Sequence, residues 1–76
     1  MLYKTITLEL LESQPALHRY LQLSRKLLSE MERYASDLRS LHQRQQDAGM
    51  DSNEAMEHAI HEIEVRIAQE AARLET

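Results

Sequence analysis

The sequence has no cysteine, no tryptophan and no phenylalanine, and only one glycine and one proline among its 76 residues. Without cysteine the chain forms neither a disulfide nor a thiolate metal cluster. A single domain this short buries only about 60% of the surface that its unfolded chain exposes, so its own core is marginal. Because small scaffolds usually need a further source of stability, we expect this chain to associate with a second copy.

The sequence also lacks a long apolar run and a secretory signal. Nowhere do more than a few apolar residues follow one another, whereas a membrane-spanning helix needs about 20 of them. The first residues contain no basic segment, apolar stretch and cleavage site in the order that a signal peptide requires. We therefore expect a cytoplasmic protein that does not span a membrane.

The residues that are abundant are those typical of long helices, namely Leu, Ala, Glu, Arg and Gln. The net charge of −4 is unevenly distributed along the chain. Residues 15–46 carry six basic residues against three acids, a net charge of +3, and residues 49–76 carry seven acids against two bases, a net charge of −5. Opposite charges on the two halves predict that they pack side by side.

A long central helix is predicted over residues 15–47. Pro15 suits the first position of a helix, and apolar residues recur from Leu17 onward with heptad spacing. They form a stripe three positions wide, which is typical of a helix in a bundle. Its members are Leu17, Ser24, Met31 and Leu38 at the first position, Tyr20, Leu27, Tyr34 and Leu41 at the second, and Leu21, Leu28, Ala35 and His42 at the third.

A turn and a last helix over residues 52–74 follow. Gly49 suits the left-handed residue that ends a helix, and Asp51 with Glu54 three residues later is typical of a helix start. The seam of the last helix consists of Met56, Ile60, Ile63, Ile67 and Leu74. The prediction is a single all-α domain over residues 1–76, an antiparallel helical hairpin that dimerises into a four-helix-type bundle.

The first segment, about residues 3–13, is ambiguous between strand and helix. Leu2, Ile6, Leu8 and Leu10 alternate as in a strand, while Leu2, Ile6 and Leu10 also recur at helical spacing. We favour a short helix, because a lone strand would have nothing to pair with except its own copy in a dimer.

The lengths of the predicted helices locate an interface. At about 1.5 Å per residue, the long helix spans roughly 48 Å and the last helix roughly 36 Å, so the last helix covers the long one only to about residue 24. Residues 2–23 would then expose a large apolar patch, which soluble monomers rarely tolerate. The predicted interface residues are Ile6, Leu10, Leu17, Tyr20 and Leu21, with Leu10, Leu17 and Leu21 as anchors.

A basic line on the long helix offers an alternative function. Arg19, Lys26 and Arg33 repeat every seven residues and would lie along one side of a continuous helix. Such a line could follow the phosphates of a nucleic acid, as in a dimeric nucleic-acid-binding protein. The chain is acidic overall, however, and no aromatic residue is interleaved with the line, which favours a solvated surface.

Metal binding and catalysis have little support in the sequence. His58 and Glu62, four residues apart, could present two ligands to an ion, and His61 lies nearby, but two ligands on one helix do not make a site. No nucleophile, base and orienting group recur in a usable pattern. We expect no catalytic residue, no metal site, no cofactor and no enzymatic activity.

Three groups of residues along the chain form a recognisable pattern: residues 1–6 and 8–11 (MLYKTI and LELL) with Pro15, then Tyr34, Ala35, Leu38 and His42, and then residues 54–57 (EAME) with Ala59, Glu62, Glu64 and Arg66. In these residues the chain resembles a family of short bacterial helical proteins that has no assigned activity. The resemblance implies a bacterial cytoplasmic protein and adds no site residue. We therefore expect a non-enzymatic protein–protein interaction or adaptor module that acts as a homodimeric helical bundle.

Overall fold

The computed structural model describes residues 2–74, which form four α-helices and no strand. They are α1 (Leu2–Glu12), α2 (Pro15–Leu23), α3 (Leu27–Asp47) and α4 (Ser52–Leu74). The predicted all-helical class is confirmed, and the first segment is a helix. Met1, with which the family resemblance begins, lies outside the described residues.

The central segment contains two helices where the sequence predicts one. α2 ends at Leu23, and the backbone N–H groups of the next residues turn back onto its last carbonyls: Arg25 donates to Gln22 at 3.2 Å and Lys26 to Leu21 at 2.8 Å. This Schellman pattern needs a left-handed residue, and Arg25 supplies it with a φ of 60°. The prediction of one continuous helix over residues 15–47 was therefore wrong.

Packing explains why the chain bends at an arginine. The left-handed conformation costs a non-glycine residue roughly 1–2 kcal/mol. The bend lets α2 fold back against α4, where Leu17 and Leu21 become buried in the core. Burying a leucine side chain gains about 1.5–3 kcal/mol, so two buried leucines outweigh one strained backbone position.

The turn between α3 and α4 follows the predicted pattern. The N–H of Gly49 donates to the carbonyl of Gln46 at 3.0 Å, and the N–H of Met50 donates to that of Gln45 at 3.1 Å, with Gly49 at a φ of 107°. The side chain of Asp51 then accepts a hydrogen bond from the backbone N–H of Glu54 at 3.0 Å. This bond caps α4 and lowers the pKa of Asp51.

The core lies where the four helices meet. Leu38 of α3 and Ile63 of α4 are completely buried, as the predicted seam requires. α1 and α2 add their own apolar side chains, and the buried cluster consists of Leu11, Leu17, Leu21, Tyr34, Leu38, Ala59, Ile63, Ile67 and Ala71.

Polar contacts show how α3 and α4 lie along each other. Near the turn, a ring nitrogen of His42 is 3.1 Å from the carbonyl oxygen of Ser52. Farther along, Arg66 contacts Asp37 at 3.6 Å, and at the far end the Tyr34 hydroxyl donates to Glu70. These contacts hold α3 and α4 side by side. None of the helices within residues 2–74 is both long and apolar enough to cross a membrane.

Candidate functional site

The most exposed large apolar side chains surround the joint between α2 and α3. Leu23, the last residue of α2, is 75% exposed, and Leu28, the second residue of α3, is 64% exposed. Tyr20, one turn before the end of α2, is 46% exposed. Exposed basic residues lie among them. The set that we call the α2–α3 corner consists of Tyr20, Leu23 and Leu28 with Arg19, Arg25 and Lys26.

The corner forms at the bend between α2 and α3. Three residues separate α2 from α3, so Leu23 directly precedes the joint in the sequence and Leu28 follows it within the first turn of α3. Leu27 packs against the core, which leaves its neighbour Leu28 pointing elsewhere. Exposed apolar side chains grouped at one place are typical of interaction sites, whereas single ones are common on any surface.

The predicted interface residues do not lie together on the surface. Leu17 and Leu21 are buried by the chain itself, and Ile6 and Leu10 are partly buried against the same core, whereas Tyr20 is exposed. The length argument assumed that α2 continues in line with α3. Because the joint turns α2 back over α4, the expectation that Leu17 and Leu21 stay uncovered in a single chain was wrong.

The predicted basic line is broken by the same joint. Arg19 belongs to α2 and Arg33 to α3, and Lys26 lies in the joint between them. Arg33 is also paired, since its guanidinium donates to the Glu30 carboxylate at 2.9 and 3.1 Å and lies 3.8 Å from Glu70. The hydrogen bond from Arg33 lowers the pKa of Glu30, and the same bond raises the pKa of Arg33. The Arg33 guanidinium is therefore paired with the carboxylates of Glu30 and Glu70.

Sequence reasoning missed Arg25 and Leu28 as interface residues. The length argument did predict that Leu23, the last residue of the 2–23 stretch, stays uncovered in a single chain, and Leu23 is exposed. Leu28 lies within the stripe and Arg25 within a helix-compatible segment, so neither position carries a local signal.

A buried tyrosine links α3 to α4 next to Arg33. The Tyr34 side chain is buried and its hydroxyl donates to Glu70. The Arg33 guanidinium carbon lies 4.5 Å from the centre of the Tyr34 ring, a cation–π contact. Burial, together with the hydrogen bond to Glu70, raises the pKa of Tyr34 to about 12.

A second polar cluster joins three helices around His42. One ring nitrogen, Nδ1, is 2.8 Å from the Tyr3 hydroxyl, and the other, Nε2, is 3.1 Å from the Ser52 carbonyl oxygen. A carbonyl only accepts, so Nε2 carries the proton and Nδ1 accepts from Tyr3. His42 is buried, and it fastens α1 to the start of α4. The sequence placed it at the edge of the stripe without these partners.

The histidines of α4 lie on the surface. Glu57, His58 and His61 are exposed and line an open groove of about 180 Å³. Within residues 2–74 no group of three or more histidine, aspartate or glutamate side chains is arranged to hold a metal ion. The expected absence of a metal site stays a prediction.

A further groove of about 270 Å³ lies between the end of α1 and α4. Its walls contain apolar and polar side chains, among them Leu10, Ser13, Gln14, His61, Glu64 and Val65.

The resemblance to short bacterial helical proteins stays a prediction as well. Comparison with known proteins gives no relative, because no protein family model, no curated protein and no solved structure matches this chain.

Proposed function

We propose that this chain is a non-enzymatic protein–protein interaction module that acts as a homodimeric helical bundle built on an antiparallel hairpin of α3 and α4. The observation that carries the proposal is the exposure of Leu23 and Leu28 at the α2–α3 corner. From the resemblance we place the module in the bacterial cytoplasm.

The energetics of a short chain support an apolar contact at this corner. Each leucine that passes from water into an interface gains about 1.5–3 kcal/mol. A domain of this size has a total stability of only a few kcal/mol from its core. Burying the apolar side chains of the corner in an interface therefore changes the free energy of unfolding of the chain by a substantial fraction of its total.

The charges at the corner support a protein partner over a nucleic acid. Arg19, Arg25 and Lys26 are exposed and stand among the apolar residues of the corner in the sequence, and exposed acids are abundant on the rest of a chain with a net charge of −4. A second copy therefore offers the acidic groups that the basic rim prefers. The nucleic-acid alternative loses Arg33, which is paired with Glu30, and with it the continuous line of charge.

Light scattering coupled to size exclusion, over a series of concentrations, tests the proposal. We expect the wild-type mass to rise to that of a dimer. Leu23→Glu and Leu28→Glu should shift the equilibrium toward monomer without loss of helical circular dichroism. Ala48→Glu is the matched control, because Ala48 is an exposed apolar residue at the other end of α3, away from the corner.

Two outcomes would overturn the proposal. One is a wild-type chain that stays monomeric at every concentration. The other is a dimer that Ala48→Glu weakens as much as Leu28→Glu does. Salt-sensitive retention of RNA or DNA during purification, lost in Arg19→Glu and Lys26→Glu, would establish the nucleic-acid alternative in its place.

A further inference from the structure

The joint between α2 and α3 holds a strained residue in a segment that has no local reason to bend. Arg25 has a φ of 60°, and no other non-glycine residue within residues 2–74 has a positive φ. Its neighbours are Ser24 and Lys26, and the joint contains neither glycine nor proline. Arginine and lysine are good helix formers, and a helix tolerates serine. The residues of the joint are therefore compatible with a helix, although they form a turn in this structure.

The apolar stripe runs through the joint without interruption. Leu17 and Met31 stand at equivalent heptad positions on the two sides, as do Leu21 and Leu28. In the bent chain Leu21 is buried while Leu28 is 64% exposed. The pattern is that of one helix about 50 Å long, given about 1.5 Å per residue over residues 15–47.

We infer that residues 24–26 are a hinge, and that the dimer proposed above forms by exchange of α1 and α2 between two copies. This inference rests on the proposed function. When the hinge becomes helical, α2 and α3 join into one helix, α1 leaves its own α3 and α4, and α2 leaves its own α4. The occupant of the vacated surface is the α1–α2 segment of a second copy.

The exchanged interface is already present in the single chain. Leu11, Leu17 and Leu21 pack in one cluster with Ile63 and Ile67 of α4, and exchange re-forms the same contacts between two copies. The surfaces are therefore complementary in shape and chemistry, which is the reason that swapping an identical element is a common route to a dimer.

Straightening the hinge adds two favourable changes. Arg25 leaves its left-handed conformation, and the backbone groups of the joint gain regular helical hydrogen bonds. Tyr20 and Leu28 then stand on one continuous helical stripe, and we expect the second copy to cover it. The exposed side chains of the corner become the contact that only the dimer has. High concentration favours this form and dilution favours the bent one.

Zero-length cross-linking of the unmodified chain tests the exchange directly. The Lys4 amine of α1 lies 3.9 Å from the Glu32 carboxylate of α3, and the two side chains are 58% and 53% exposed, so a carbodiimide reaches them. Lys4 and Lys26 are the only lysines in the sequence, which makes the products easy to assign. Isotopically light and heavy chains are unfolded together, refolded at high concentration and cross-linked, and the dimer fraction is analysed by mass spectrometry.

In an exchanged dimer, peptides cross-linked between Lys4 and Glu32 should contain mixed light and heavy pairs in about half of the products, the statistical share for random pairing. The matched control is Arg33→Lys, whose new amine stands where the guanidinium lies 3.8 Å from Glu70. Because α3 and α4 stay in one copy, the cross-link from residue 33 to Glu70 should remain unmixed.

The outcomes separate this inference from the proposed function. A dimer whose Lys4–Glu32 products are all unmixed would overturn the exchange. The dimer would then be a side-by-side one, and the proposed function would still stand. A chain that is monomeric at every concentration would overturn both.

A matched pair of hinge variants gives a second, independent measurement. Arg25→Gly and Arg25→Ala remove the same charge, but glycine adopts the left-handed turn freely and alanine favours the helix. We expect Arg25→Ala to lower the dissociation constant of the dimer and Arg25→Gly to raise it, with a difference of about tenfold or more between them. Equal dissociation constants for the two variants would overturn the hinge.

Discussion

The two turns that follow α2 and α3 close with the same pair of backbone hydrogen bonds but place different residues in the left-handed position. After α3 the residue is Gly49 at a φ of 107°, for which a positive φ costs little. After α2 it is Arg25 at a φ of 60°, for which the same region is unfavourable. One turn agrees with the local preference of its residues, and the other is imposed by the burial of the helix before it. A turn of the second kind depends on the rest of the fold.

Disruption of the core should have the largest effect on stability. The burial of Leu17 and Leu21 in that core is what imposes the left-handed turn at Arg25. Ile63 is completely buried in α4, and Ile63→Asp places an unpaired carboxylate there. We expect the free energy of unfolding to fall by about 3–5 kcal/mol, which unfolds a chain of this size. Circular dichroism during urea titration measures the change.

The control for this substitution is Val65→Asp on the exposed side of the same helix. It introduces the same charge into the same element and should leave the helical signal intact. A folded, helical Ile63→Asp variant would mean that the seam between α3 and α4 is wrongly placed.

Removal of His42 tests whether the Gly49 turn has support beyond its glycine. His42→Ala leaves the Tyr3 hydroxyl without its acceptor and the Ser52 carbonyl without its donor. We expect a loss of about 1–3 kcal/mol in the free energy of unfolding, most of it from polar groups left without partners. Tyr3→Phe removes one of the two bonds and should cost about 1 kcal/mol. If both variants are as stable as wild type, the cluster does not fasten α1 to α4.

A side chain at the glycine turn should cost a moderate amount. A Cβ atom on Gly49 would meet no other atom within 4 Å, so the effect of Gly49→Ala comes from the backbone alone. We expect a loss of about 1–2 kcal/mol, measured as a lower urea midpoint with an unchanged slope. The control is Ala48→Gly, one position earlier, where the backbone is right-handed. A glycine there should bring no gain in stability, because that position needs no left-handed residue.

A glycine at the arginine turn should have the smallest effect and the opposite sign. Arg25→Gly relieves the left-handed strain but loosens the unfolded chain, and the balance is a gain of about 0.5–1 kcal/mol in the stability of the bent monomer. The comparison variant is Arg25→Ala, which removes the charge but keeps the strain. Measurements at high dilution keep dimers from contributing. A variant less stable than Arg25→Ala would show that the position is not strained.

The two turns also mark how far the sequence predicts the fold. Gly49 and the capping pair Asp51 and Glu54 are local signals, so the start of α4 at residue 52 followed from them. The bend at Arg25 has no such signal, because its cause is the burial of Leu17 against a helix some fifty positions away in the sequence. A heptad pattern shows which side chains are suited to burial. It does not show which helix covers them.

The same reason separates the predictable and unpredictable parts of the candidate site. Tyr20 was assigned to an interface and is exposed, and Leu28 was assigned to the stripe and is exposed too. Whether a stripe residue is covered depends on the path of the chain on both sides of it. Arg33 illustrates the same limit for charge, since its pairing with Glu70 arises only when α3 and α4 lie side by side.

The hydrogen bond between Tyr34 and Glu70 gives the chain an optical reporter of its own. Without tryptophan, the near-ultraviolet absorption comes from three tyrosines, and Tyr34 is the one whose pKa is raised to about 12 by burial and by Glu70. In the unfolded chain the same phenol ionises near its ordinary value of about 10. Its contribution to stability is therefore complete below pH 10 and is lost as the pH rises through 12. In an alkaline titration we expect a phenolate phase near pH 12 in wild type that is missing in Tyr34→Phe. Ultraviolet absorption alone then reports whether α3 and α4 remain together.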